Sequence, residues 1–138
     1  MMDRYLPTPS PDPSLEGATF WNWCRKYELR FQKCGACGRH RHPPVPVCRF
    51  CGSDDVLWDR APEGAELFSY TIIHNPVTEA LKAYVPYNIA VVSFPDFGVR
   101  LISNIIDLPP EKIRIGMPLR LVWQESQDGT PLPLFSGK

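Results

Sequence analysis

Hydrophobic and polar residues change their period twice along the chain. Phe20, Trp23, Cys24 and Tyr27 follow the i, i+3, i+4, i+7 spacing of one helical face, and Ser14 stands where an N-cap belongs, so a short amphipathic helix is predicted over 15–27. Trp21 lies off that stripe and needs a second place to bury. From Glu28 the period becomes two, with Leu29 and Phe31 opposed to Glu28, Arg30 and Gln32, which predicts a strand; Val56 to Arg60 reads the same way. After Pro62-Glu63-Gly64, strands are predicted at 65–74, 87–94, 99–106, 118–125 and a short 130–135, with turns at Pro95-Asp96-Phe97-Gly98 and Gln127-Asp128-Gly129. Along 99–106, Val99, Leu101, Ser103 and Ile105 oppose Arg100, Ile102, Asn104 and Ile106. Asp107 to Gly116, with proline early and glycine last, reads as one capped helical turn. Five strands interrupted after the third suggest a five-stranded OB-fold barrel, although the pattern alone admits other small barrels.

The chain therefore divides into a proline-rich arm at 1–14, the helix at 15–27, a ribbon at 28–60 and a barrel with its C-terminal tail at 61–138. Sixteen prolines in 138 residues are more than twice the usual roughly 5%. Pro7, Pro9, Pro11 and Pro13 make the arm extended, without a core of its own. Thr130 to Phe135 carries two prolines, too many for a central strand, yet Leu132, Leu134 and Phe135 are too apolar to face water. It is either a last barrel strand or a docking tail. We expect the tail to form a partner-facing surface together with Phe20, Trp21 and Trp23 of the helix, since large aromatics are common interface anchors.

The cysteines carry the sharpest signal. Cys34-Gly-Ala-Cys37-Gly and Cys48-Arg-Phe-Cys51-Gly are two knuckles separated by ten residues. Each offers two thiolates to one ion, and Gly38 and Gly52 lie where the turn needs a residue tolerant of positive φ. Together they complete a tetrahedral four-sulfur site for one zinc ion per chain, with iron in a rubredoxin-like site as the competitor. A closed site of this kind has no position for water or substrate, so its expected role is structural. Four thiolates and Zn²⁺ add a charge of −2, which Lys33, Arg39 and Arg49 partly offset. Cys24, left over on the helix, reads as a buried small hydrophobe.

Composition and charge narrow the rest. Apolar residues at 43% suffice for a core, and 15 Lys and Arg against 15 Asp and Glu give no global field to gather polyphosphate. No apolar run approaches the roughly 18–20 residues of a membrane span, and Met1-Met2-Asp3-Arg4 opens no signal peptide, so a cytoplasmic protein without membrane association is expected. His40, His42 and His74 have no neighbouring nucleophile motif, and no glycine-rich phosphate loop occurs, so no catalytic residue is assigned and the chain is not expected to be an enzyme. The alternative is a protein that binds single-stranded nucleic acid, with Lys33, Arg39, Arg41 and Arg49 supplying charge to a ribbon and barrel. The barrel strands argue against it, carrying isolated cations such as Arg100 and Arg120.

The order Phe20-Trp21, Leu29 to Cys34, Cys37-Gly38, Pro43-Pro44, Pro46-Val47-Cys48, Cys51-Gly52-Ser53, Tyr70-Thr71, Val85-Pro86-Tyr87, Asn104, Ile115-Gly116-Met117-Pro118 and Leu132-Pro133-Leu134-Phe135 resembles a known family. Over residues 18 to 136 the chain is similar to the OB-fold, rubredoxin-like zinc-ribbon proteins associated with acyl-CoA metabolism. The resemblance implies a helix and zinc ribbon ahead of an OB barrel. It also implies a small partner subunit of thiolases, of sterol-carrier-type thiolases and aldolases in steroid side-chain degradation, or of acyltransferases. Affinity for acyl-CoA follows as a second implied role, with no residues assigned to it. Some relatives are fused to a hot-dog-fold hydratase; here such a hydratase is expected on a separate chain.

Overall fold

A computed structural model describes residues 15–138, so the arm and its candidate N-cap Ser14 lie outside the described residues. Helix α1 spans Leu15–Cys24, shorter than predicted. Phe20 and Cys24, one turn apart, form its buried face. Tyr27 leaves the stripe because the chain turns out of the helix there. Its φ is 58°, and the Glu28 amide donates back to the Trp23 carbonyl, as in a left-handed C-terminal cap. Positive φ strains a bulky residue, and Tyr27 is held in place by its hydroxyl donating to Glu125 at 3.0 Å and by its ring meeting Trp123 edge-on. Trp21 finds its second place of burial edge-on against Phe20, with centroids 5.1 Å apart.

Strands β1 (Arg30–Cys34), β2 (His40–Arg41) and β3 (Val56–Arg60) form an antiparallel ribbon in the order β2-β1-β3. Leu29 and Phe31 point into the core as the alternation predicts. Gln32 does not follow the expected polar face, since it is 1% exposed. The reason is local: its side-chain carbonyl accepts from Arg41 Nε and from the Val45 amide, both at 2.8 Å.

The rest is the OB barrel. β4 (Glu66–Ile73), β5 (Tyr87–Phe94) and β6 (Val99–Ser103) form a meander, and β7 (Arg120–Glu125) pairs with β8 (Pro131–Ser136). Two single bridges close the circle, Glu66 antiparallel to Pro118 and Ile105 parallel to Phe135, giving the β6-β8-β7-β4 order of a five-stranded OB barrel. The predicted helical turn is a 3-10 turn over Pro110–Lys112. Val99, Leu101, Ser103 and Ile105 are buried, as the alternation requires. Phe31 of the ribbon meets Phe94 of the barrel at 5.0 Å, so helix, ribbon and barrel share one core.

Of the two readings of the C-terminal segment, the strand is the one the fold adopts. Pro131–Ser136 is a barrel strand paired with β7 along its whole length, from Arg120 opposite Ser136 to Glu125 opposite Pro131. Leu134 and Phe135 are buried in the chain's own core. The prolines are tolerated for a geometric reason. The Phe135 amide donates to the Asn104 carbonyl and the Phe135 carbonyl accepts from the Ile106 amide. Alternate residues of β8 therefore direct their backbone groups toward β6, and Pro131 and Pro133 share that parity. Their missing N–H groups fall on the seam between β6 and β8, outside the β7–β8 ladder.

Candidate metal centre and the surfaces around it

The knuckles fold as their glycines anticipate. Gly38 and Gly52 have φ of 79° and 77°, and their amides close turns onto the Cys34 and Cys48 carbonyls. One sulfur from each of Cys34, Cys37, Cys48 and Cys51 lies within 4.8 Å of the other three. The Cys34–Cys51 and Cys37–Cys48 sulfur pairs are 3.6 Å apart. Four sulfurs about 2.3 Å from a tetrahedral zinc are separated by about 3.8 Å, so the donor set fits such an ion.

The electrostatics call for a cation as well. The Cys37 amide points at Cys34 Sγ at 3.4 Å and holds that thiol down, to about 6; the Phe50 amide does the same for Cys48. Cys51 moves the other way, to about 11: the Ser53 amide lowers it, but the crowding of Cys34, Cys37 and Cys48, together with burial, outweighs that pull. Four thiolates repel one another at this distance, and a divalent ion is what lets all of them ionise.

Basic residues near the site are engaged elsewhere. Arg39 and Arg49 lie over the Phe50 ring, at 4.2 and 4.8 Å from its centroid. Arg41 is buried and bonded to Gln32 and to the Val45 carbonyl, so it offers nothing to a nucleic acid. His40 stacks flat on Phe97 of the β5–β6 turn at 3.6 Å. Its Nε2 sits 3.0 Å from Asp59 Oδ2, and that bond holds the Asp59 carboxyl below its usual range. This ribbon-to-barrel clasp had no signal in the sequence, since its members come from three separate turns and strands. His42 lies between the Phe20 and Phe31 rings, where burial lowers its pKa to about 4. His74 is exposed just past β4. Burial likewise pushes the Cys24 thiol up to about 12, as befits an inert core residue.

The residues expected to face a partner are divided by the fold. Phe20, Trp21, Leu132 and Leu134 come together around a groove of about 360 Å³ that also contains Pro43, Pro44 and Ile102. Phe20, Leu134 and Phe135 are buried. Trp23 stands apart, half-buried beneath the Arg30 guanidinium at 4.1 Å. A second cavity, of about 490 Å³, opens where the ribbon joins the barrel. Leu29, Leu119 and Phe135 line it, with Arg60 and Arg120 among its polar residues. Glu28 already takes both Arg30 and Arg60, at 2.9 and 2.6 Å. Among the described residues no helix is long and apolar enough to cross a membrane.

Residues 21–56 match the family model described as ChsH2, rubredoxin-like zinc ribbon domain, and residues 58–124 match ChsH2, C-terminal OB-fold domain. A DUF35 domain-containing scaffold protein of Methanothermobacter thermautotrophicus is 33% identical over 110 residues, covering 76% of this chain and 81% of its own. The chain belongs to the ChsH2/DUF35 family. One chain of the solved Ltp2-ChsH2(DUF35) aldolase superposes with a TM-score of 0.82 at 34% identity, covering 94% of this DUF35 chain and 98% of that one. A probable enoyl-CoA hydratase alpha subunit of Thermomonospora curvata is 36% identical over 129 residues. That match covers 92% of this chain but 39% of the subunit, so the chain spans about two fifths of its length. The ribbon model takes in the end of α1 and stops at residue 56, whereas the sequence pattern ran the ribbon over 28–60.

Proposed function

We propose that this chain is an accessory subunit of an acyl-CoA-processing complex, in which it binds and supports a thiolase-fold enzyme and bond-making occurs on the partner. The observation that carries this reading is the end-to-end match to a chain of the Ltp2-ChsH2(DUF35) aldolase. The similarity to a DUF35 scaffold protein supports it. In this reading the four cysteines hold one zinc ion, with iron the competing ion, and the ion's contribution is folding free energy for the ribbon. The implied affinity for acyl-CoA has a candidate location in the cavity at the ribbon–barrel junction. Its apolar wall suits a chain or ring system, and Arg120, which has no carboxylate partner among the described residues, suits an anionic group.

A second reading, partnership with a hydratase, is favoured by the identity to the Thermomonospora curvata hydratase subunit. Co-expression with a thiolase-fold enzyme and, separately, with a hot-dog-fold hydratase tests both. The expected result is a stoichiometric complex with the former, more active or more soluble than the enzyme alone, and no acyl-CoA turnover by the isolated chain. Turnover by the isolated chain that disappears on His74→Ala would overturn the proposal.

A further inference from the structure

The outer face of the β4-β5-β6 sheet is apolar where an antiparallel sheet with one solvated face is usually polar. β5 buries Asn88, Ala90, Val92 and Phe94, so Tyr87, Ile89, Val91 and Ser93 stand on the opposite face. Residues paired across strands share a face. Val91 therefore lies between Ser69 of β4 and Ile102 of β6, and Ile102 is 74% exposed. None of Ile89, Val91 and Ile102 packs against the core. Apolar residues on both faces are the composition of a strand covered on both sides, and the core occupies only the inner side of β5.

The charges on this face are complementary to themselves. Glu66, Ser93 and Arg100 form the row next to Ser69, Val91 and Ile102, with the carboxylate on one flanking strand and the guanidinium on the other. Two strand spacings, about 9–10 Å, separate their backbones, and neither has an oppositely charged partner among the described residues. Arg100 instead lies over the Phe68 ring, 3.7 Å from its centroid, so the two side chains bridge Ser93 and the guanidinium is held on the face. We propose that the face is covered by a second copy of this chain, packed sheet on sheet about a two-fold axis parallel to β5. That axis lays β4 of each copy over β6 of the other. Each Glu66 then meets the Arg100 of the other copy, while Ile89 and Val91 meet their own counterparts on the axis. A two-fold axis across the strands lays β4 on β4, which brings like charges together or matches neither. Arg100 is the one cation at the outward positions of the three strands, too little for a nucleic-acid backbone. A face three strands wide is smaller than the roughly 800 Å² per partner of a standard interface, so the dimer is weak. This inference goes beyond the proposed function and does not rest on it.

The test is sedimentation of the full chain over a concentration series up to about 0.5 mM, at low and at high salt. The expected result is a monomer–dimer equilibrium that salt weakens, with concentration-dependent NMR shifts at the Ile89, Val91 and Ile102 methyl groups and none at Leu57 of the ribbon. Glu66→Arg and Arg100→Glu decide the geometry. Each variant alone sets like charges opposite one another at both contacts and should dimerise at least about ten-fold more weakly. An equimolar mixture of the two variants pairs opposite charges at both contacts and should recover the association as a heterodimer. Both positions are exposed, so folding and metal content should be unchanged, and a loss caused by misfolding would not be reversed by mixing. A chain that stays monomeric throughout the series, association indifferent to both substitutions, or a mixture that remains monomeric would overturn the proposal.

Discussion

The ribbon and the barrel touch through one core but are held by different forces. The barrel buries Leu67, Val92, Phe94, Leu101, Ile105, Ile113, Leu119 and Phe135, drawn from its strands and their connections, and apolar burial of this kind holds a domain by itself. Between Arg30 and Arg60, Phe31 is the one buried apolar residue other than cysteine, and the remaining buried groups are Cys34, Cys48, Gln32 and Arg41. A small element without a core depends on a cross-link. The sulfur cluster and the Gln32–Arg41–Val45 network supply in the ribbon what side-chain packing supplies in the barrel.

Metal removal should separate the two most sharply. Binding free energies for structural zinc are on the order of 10–16 kcal/mol at neutral pH, so Cys48→Ser or a strong chelator should release the ion and unfold the ribbon. Hydrogen exchange should then speed up at β1 and β3 while β5 keeps its protection. Simultaneous loss of protection in both regions would show that the two are a single cooperative unit. The converse experiment is Phe135→Ala, which removes a fully buried ring from the barrel. It should cost about 3–5 kcal/mol in denaturant melts, with one metal ion per chain still bound.

His42 gives the junction a pH dependence. Its folded pKa of about 4 lies below the ordinary 6.5, so between those values the unfolded chain binds more protons than the folded one. The stability of the neutral ring is fully present above about pH 6.5 and is lost as pH falls toward 4, in total about 3 kcal/mol. His42→Leu should flatten that slope without changing metal content; an unchanged slope would assign the acid sensitivity to the thiolates instead. The smallest effect is expected from Gln32→Leu, which leaves the Arg41 and Val45 donors unpaired and should cost about 1–3 kcal/mol. That loss should appear in ribbon exchange rates before it appears in the barrel.

The same contrast explains what the sequence disclosed. The two knuckles with their glycines were legible because metal chemistry needs particular residues at fixed spacing, and strand 87–94 was read with the bounds it has in the fold. Alternation placed Val99 to Ile105 correctly because one face of that strand meets a core. Gln32 was misassigned because its partners, Arg41 and the Val45 amide, lie nine and thirteen residues away. Tyr27 was misassigned because periodicity alone does not mark a left-handed cap on a residue other than glycine. The last strand was read at 130–135 but left open against a docking tail, because whether proline breaks a strand depends on which way its missing N–H points, and that parity is fixed by Phe135 bonding to Asn104 and Ile106. The groove joining α1 to β8 was half visible: its residues were named, but their burial and the seam beneath them come from barrel closure.

Affinity purification of the tagged chain from its native host, with mass spectrometry of what is retained, tests the central claim most directly. The account predicts a thiolase-fold enzyme in near-equal molar amount, retained through washes at high salt. A chain that elutes alone, or with nucleic acid that salt removes, would contradict it.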